Sequence, residues 1–326
     1  MTAILFLTGL LLLIAGAEVL VRGASRLAAI AGLSPLVIGL TIVAFGTSSP
    51  EFSVSLKSVF SNQAEVAAGN VIGSNIFNIL FILGLSSLIT PLNVKEKLVR
   101  FDVPVMIVLS VVVWIFSVNL IIGQMEGLLM FSTLLIYITL LIYFGRSTKE
   151  DRSEGASINT DSDFSILQVG KHLVFVAIGL VMLIYGSGWF VDGAIEAARF
   201  FGVSELVIGL TIVAAGTSLP EVFTSVIAAF RGERDIAVGN VVGSNIFNLL
   251  GVLGFTAFMS PGGLGMSSSL LSFDLPVMVF VSLLCLPIFL TGKIINRREG
   301  AFLLFLYVAY MTTLWGLLKT TRFHLC

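Results

Sequence analysis

Charge is scarce in this sequence. Of 326 residues, 18 are Lys or Arg and 19 are Asp or Glu, together 11%. An ordinary soluble domain carries about 25%. So few charges cannot give a globule of this size a polar shell, which excludes a cytosolic enzyme, a nucleic-acid binder and a disordered chain. The formal net charge of −1 offers nothing to a polyanionic partner. Histidine occurs twice and cysteine twice, Cys285 inside an apolar run and Cys326 at the last position. Neither cysteine has ligand-spaced neighbours, so no disulfide framework, zinc site or resident cofactor is expected. No nucleophile–base pair stands out, and the chain is not expected to be an enzyme. A basic leader is missing too. Residues 1–13 are apolar at once and the run continues past Glu18, so this stretch is expected to span rather than to be cleaved.

Hydrophobic length is what the chain has in abundance: 57% of residues are apolar and the mean hydropathy is +1.05. A bilayer-spanning helix needs about 20 mainly apolar residues. Ten segments qualify, near 2–21, 34–56, 66–90, 102–122, 124–144, 170–191, 204–227, 236–259, 274–292 and 299–318. The polar stretch 145–169 reads as a solvated linker between 1–144 and 170–326, with five helices on each side. The expected fold class is an all-α membrane protein whose partner is the lipid bilayer, with no obligate protein partner inferred.

The two halves repeat. SPLVIGLTIVAFGTSSPEFSVS at 34–55 matches SELVIGLTIVAAGTSLPEVFTS at 204–225, and AAGNVIGSNIFNILFILG at 67–84 matches AVGNVVGSNIFNLLGVLG at 237–254. Both blocks share an offset of 170, with a looser echo of FDVPVM (101–106) at FDLPVM (273–278), so the chain carries an internal duplication. Placing both termini outside puts 14 Lys and Arg residues on the cytoplasmic side with the linker and leaves 4 outside, the positive-inside pattern. Five helices per repeat is an odd number, so the two copies are expected to lie inverted in the membrane, a common design of secondary transporters.

Glu51 and Glu221 fall inside the second and seventh segments, each after GTS-x-P. A carboxylate near the bilayer centre costs about 2.5–3.5 kcal/mol on insertion scales. Two of them meeting at the repeat axis would repel, and a bound cation relieves both penalties. Pro50 and Pro220 lack the N–H that the carbonyls of Gly46 and Gly216 would use, so the helix opens there. Thr47 and Glu51 share a helical face at i,i+4, as do Thr217 and Glu221, Ser74 and Asn78, and Ser244 and Asn248. Ser48 and Ser218 add hydroxyls. Carboxylate, amide, hydroxyl and carbonyl oxygens suit hard cations such as Ca2+, and the lack of nearby His or Cys disfavours Zn2+ and Cu+. Two carboxylates match one divalent charge, and a cation-loaded site switches sides more easily than a bare one, which predicts exchange.

Other polar residues carry simpler readings. Asn70, Asn75, Asn240 and Asn245 are expected to pack and hydrogen-bond. Asp102 and Asp274, ahead of Pro104 and Pro276, read as N-caps, and Glu18 as an i,i+4 partner of Arg22. The glycines of GNVIG and GNVVG read as small-x-x-x-small helix contacts.

At GTSSPE…GNVIGSNIFN and GTSLPE…GNVVGSNIFN the chain resembles the calcium/cation antiporter superfamily, in particular the compact prokaryotic form of its sodium/calcium exchanger branch. The resemblance runs through all ten segments in order. It implies a secondary active antiporter exchanging Na+ for Ca2+ in a plasma (inner) membrane, normally extruding Ca2+, with both ions as cargo. It also implies that segments one and six slide across a centre formed by two, three, seven and eight. By motif, Glu51 and Glu221 would be shared carboxylate ligands, and Thr47 and Thr217 would add oxygens for Ca2+. Ser48, Ser74, Ser218 and Ser244, with the carbonyls of Ala44 and Ala214, would line Na+ sites, and Asn78 and Asn248 would close the middle. The potassium-dependent branch has Asp where this chain has Asn248, which leans toward potassium independence. A Ca2+/H+ antiporter of the same fold is the alternative, and a cation channel a more distant one.

Overall fold

The computed structural model describes residues 2–145, 166–201 and 214–323. Almost all of this is helix. In chain order the helices are α1 (Thr2–Ala31), α2 (Pro35–Thr47), α3 (Ser49–Phe60), α4 (Ala64–Ile89), α5 (Leu98–Phe116), α6 (Gln124–Phe144), α7 (Ile166–Phe200), α8 (Leu219–Phe230), α9 (Arg234–Met259), α10 (Leu270–Leu290) and α11 (Arg297–Phe323). Seven of them are long and apolar enough to cross a membrane, and an eighth span arises if the bent pair α2 and α3 is taken as one. The expected segment at 204–227 begins in residues outside the described ones; its described part is a short turn, Ala214–Gly216, followed by α8.

Helices α1 and α7 exceed their expected lengths the most. Helix α1 was expected over 2–21 and runs for 30 residues; α7 was expected over 170–191 and runs for 35. At 1.5 Å per residue they extend about 45 Å and about 52 Å, well past a hydrocarbon core of about 30 Å. Hydropathy ends a span at its first charges, but Arg22 and Arg26 are good helix formers in an Ala- and Leu-rich stretch. Helix α1 therefore continues until Gly32, whose φ of +63° reverses the chain. The start of α7 at Ile166 also takes the last residues of the expected 145–169 linker into a helix.

Helices α1 and α7 pack against each other along most of their length. Glycine makes this approach possible: a Cβ on Gly9 would lie 2.4 Å from the Phe190 nitrogen, and one on Gly179 would lie 2.6 Å from the Leu20 nitrogen. Helix α9 occupies the interior, with every residue from Ile236 to Gly254 buried. Four two-residue strands pair antiparallel at the ends of the bundle: β1 (Leu92–Asn93) with β4 (Ile294–Ile295), and β2 (Ile121–Ile122) with β3 (Leu264–Gly265). Each ribbon joins the first half of the chain to the second.

The reading of Asp102 and Asp274 as N-caps is corrected. Neither side chain caps a helix. Each closes a π-helical turn, Leu98–Asp102 and Leu270–Asp274, that runs directly into the next helix. With helix already upstream, the following N–H groups have backbone partners and the carboxyl is released. Asp102 instead accepts a hydrogen bond from the Tyr137 hydroxyl at 2.9 Å, and Asp274 accepts one from Tyr310 at 2.7 Å. Glu18 pairs with Arg22 as expected, and also with Arg231, which ties α1 to the end of α8.

Candidate functional site: a buried, oxygen-lined centre

The chain breaks at Ser48 and at Ser218. Their backbones have nearly the same conformation, φ −80° and ψ 7° against φ −89° and ψ 7°. The proline two residues on starts the following helix in each case, where its missing N–H costs nothing. Helix α3 leaves α2 at 43°. Glu51 and Glu221 lie in the first turns of α3 and α8, and both are fully buried.

The two carboxylates are linked by each other's hinge. Ser48 donates to Glu221 Oε1 at 2.9 Å, and Ser218 donates to Glu51 Oε1 at 2.7 Å. Ser74 Oγ lies 3.2 Å from Ser218 Oγ and 3.5 Å from Glu51 Oε1. Thr47 donates to Asn240 Oδ1 at 3.1 Å, and Thr217 donates to Asn70 Oδ1 at 3.4 Å. The Asn70 amide in turn donates to the Glu51 carbonyl and to Ser55, and the Asn240 amide to the Glu221 carbonyl and to Ser225. Exchanging the halves of the chain maps each of these bonds onto another except those of Ser74, whose counterpart Ser244 has no partner.

Asn78 and Asn248 begin π-helical segments, Asn78–Leu83 and Asn248–Leu253, a local widening often found at functional sites. Asn78 donates to Asn245 and Asn248 donates to Asn75. Ser244 lies one turn before Asn248 and is fully buried. Ala44 is buried and its carbonyl accepts from the Ser48 N–H at 3.0 Å, with the Thr47 hydroxyl 3.4 Å away. Ala214 opens the short turn ahead of Thr217. Glycine again permits close packing around the centre: a Cβ on Gly243 would lie 2.7 Å from Leu40 Cα.

Five oxygens in this region are buried with no hydrogen-bond partner: Glu51 Oε2, Glu221 Oε2, Asn78 Oδ1, Asn248 Oδ1 and Ser244 Oγ. Buried polar groups in native proteins are nearly always satisfied, so five orphans in one place require a reason. The charge that bears on Glu51 is that of Glu221, and the side chains bonded to both carboxylates are neutral hydroxyls. Among the described residues no three His, Cys, Asp or Glu side chains form a metal cluster. The donor set here is instead carboxylate, amide and hydroxyl oxygen, which fits a hard cation.

The structure thus bonds Glu51 to Ser218 and Ser74, and Glu221 to Ser48, with Thr217 and Thr47 joined to the same two helix starts through Asn70 and Asn240. Asn78 and Asn248 bond Asn245 and Asn75 in a second network. The four asparagines, Asn70, Asn75, Asn240 and Asn245, hydrogen-bond as expected, each to a residue of another segment. Their signal in the sequence was the same 170-residue offset that marks the two glutamates.

A family model described as sodium/calcium exchanger protein matches residues 1–143 and 171–316. The sodium/calcium exchanger MaX1 of Methanosarcina acetivorans is 32% identical over 306 residues, covering 84% of this chain and 87% of that protein. The inner membrane protein YrbG of Escherichia coli is 34% identical over 249 residues, covering 74% of each. A solved structure of the sodium-calcium exchanger NCX_Mj, soaked with Na+ and without Ca2+, superposes with a TM-score of 0.83 at 32% identity, covering 96% of this chain and 98% of that one.

Proposed function

The chain belongs to the sodium/calcium exchanger protein family, whose members are membrane antiporters and not enzymes, and on that premise we propose that it exchanges Na+ for Ca2+ by alternating access, normally extruding Ca2+. The observation that carries this reading is the group of five unpartnered oxygens around Glu51 and Glu221. Two carboxylates balance one Ca2+, and the neutral oxygens of Thr47, Thr217, Asn78 and Asn248 complete a shell of the six to eight oxygens that Ca2+ takes. The hydroxyls of Ser48, Ser74, Ser218 and Ser244 and the carbonyls of Ala44 and Ala214 serve Na+ beside it. Each ion is cargo, and no resident cofactor is needed.

Charge couples the two fluxes. Without cations the two carboxylates face each other in a dry interior and repel. Moving that charge across the low-dielectric core is costly, whereas a site neutralised by Ca2+ or by several Na+ crosses more easily. Exchange follows, because the protein returns loaded.

In this reading the chain forms ten transmembrane helices as two inverted five-helix repeats, 1–144 and 170–326, joined by a cytoplasmic linker at 145–169 with both termini outside. The support is the exchange of hydrogen bonds between halves, Ser48 with Glu221 and Ser218 with Glu51, which a two-fold relation requires. A plasma (inner) membrane is the proposed location of this multi-pass protein, in keeping with its relative YrbG.

The test is uptake of radiolabelled Ca2+ into proteoliposomes under Na+, K+ or H+ gradients imposed one at a time. Uptake driven by the Na+ gradient alone is expected. Uptake driven by a pH gradient without Na+ would replace Na+ by H+ as the coupled ion, and single-channel currents would overturn exchange itself.

A further inference from the structure

We propose that Asn75 and Asn245 are positioning residues that decide which end of the Asn78 and Asn248 side chains faces the cation; the inference rests on the reading of Asn78 and Asn248 as ligands. An asparagine amide has an oxygen at one end and an NH2 at the other, nearly equal in size. Only the oxygen can hold a cation. A ligand asparagine therefore needs something that forbids the reversed orientation.

The structure supplies it from the backbone. The Asn75 side-chain nitrogen lies 3.2 Å from the Asn245 carbonyl oxygen, and the Asn245 nitrogen lies 3.3 Å from the Asn75 carbonyl oxygen. A carbonyl oxygen only accepts, so each side chain must present its NH2 there. The same nitrogens face Met278 Sδ at 4.0 Å and Met106 Sδ at 3.6 Å, and a thioether only accepts as well. The side-chain oxygens of Asn75 and Asn245 are thereby turned the other way, toward Asn248 and Asn78.

That orientation passes on. Asn248 must meet the Asn75 oxygen with its NH2, at 3.1 Å, and Asn78 must meet the Asn245 oxygen with its NH2, at 3.0 Å. The free ends of Asn78 and Asn248 are then both oxygens, and these two atoms are buried with no protein partner. Reversing either amide would set two oxygens about 3 Å apart and turn an NH2 toward the ion. All four side chains are at least 99% buried, so water is not at hand to relieve such a clash.

The experiment is a double-mutant cycle read as the KM and turnover of Ca2+ uptake in proteoliposomes. Asn248→Ala is expected to raise the Ca2+ KM, and Asn75→Ala to raise it by about tenfold, in line with losses of second-layer partners at metal sites. The two are expected not to add. Asn75→Ala is also expected to cause no further loss in an Asn248→Asp background, because a carboxylate has oxygen at both ends and no wrong orientation. Equal losses from Asn75→Ala whatever stands at 248 would overturn the proposal, as would no loss at all with Asn248 intact. If Asn248→Ala leaves KM unchanged, the ligand assignment falls instead. Should Asn75→Ala fold poorly, Asn75→Ser carries the same expectations, since a hydroxyl donates as readily as it accepts and dictates neither end. The mirror cycle, Asn245 with Asn78, must agree.

Discussion

Acids at the ends of the helices and acids at the centre are held by different partners. At the ends, Glu18 sits between Arg22 and Arg231, and Glu96 between Arg100 and Lys293. At the centre, Glu51 and Glu221 have serine hydroxyls, and each keeps one oxygen unpartnered. Asp102 and Asp274 are intermediate, each with one tyrosine hydroxyl. Physical need would suggest the reverse order. A surface carboxylate is well solvated and gains at most about 1 kcal/mol from a nearby cation, whereas a buried one without a counter-charge is costly. Protein cations appear where they matter least. In the proposed exchanger this is functional, because a permanent Lys or Arg beside Glu51 would compete with the cargo.

The sharpest way to break that contrast is to remove a central charge. Glu51→Gln or Glu221→Gln is expected to lower Ca2+ uptake at least about a hundredfold, since an unbalanced buried charge costs about 3–5 kcal/mol. Both variants should still insert, and they should lose the rise in melting temperature that Ca2+ gives the parent protein. Normal uptake in either one would sink the ligand assignment.

Tyr137→Phe probes the intermediate case. It leaves buried Asp102 with both oxygens unpartnered, so stability should fall by about 1–3 kcal/mol. The Ca2+ KM should not move, and a shifted KM would draw Asp102 into the transport site.

The smallest effect belongs to Glu96. The hydrogen bond from Lys293, then the charges of Arg100 and Lys293, hold its carboxyl below the ordinary glutamate value of 4.5. A lowered carboxyl adds stability at higher pH and loses it as pH falls through the folded value. Acid loosening of this corner is therefore expected only below that ordinary value, and Glu96→Gln should remove it from a melting-temperature profile. A change in the profile near neutral pH would contradict the assignment.

Much of the centre was legible beforehand because duplication filters chance. A single intramembrane Glu is ambiguous, but Glu51 and Glu221 stand at one offset, each after a proline-broken turn, and the structure buries both at the starts of α3 and α8. The same filter marked Asn70, Asn75, Asn240 and Asn245, yet their task stayed hidden. Spacing places two residues of one helix on a common face, but it cannot show that Asn75 reaches the backbone of a residue 170 positions away. Asp102 misled for a related reason: Asp before Pro resembles a cap until the helix is seen to continue upstream.

From residue order alone came the membrane class, the duplication, the two acids and the oxygen chemistry around them, because hydropathy, repetition and charge are properties of residue type and position. The length of α1 and α7, the release of Asp102 and Asp274 to tyrosines, and the orientation of four buried amides were decided in three dimensions. The amides depend on which acceptor lies opposite which donor once the two halves are pressed together, and a separation of 170 residues leaves no local mark in the chain. The tyrosines lie 35 and 36 positions from their aspartates, on other helices of the same half, and spacing does not show that they meet. The two long helices run past the charges at which hydropathy ends a span.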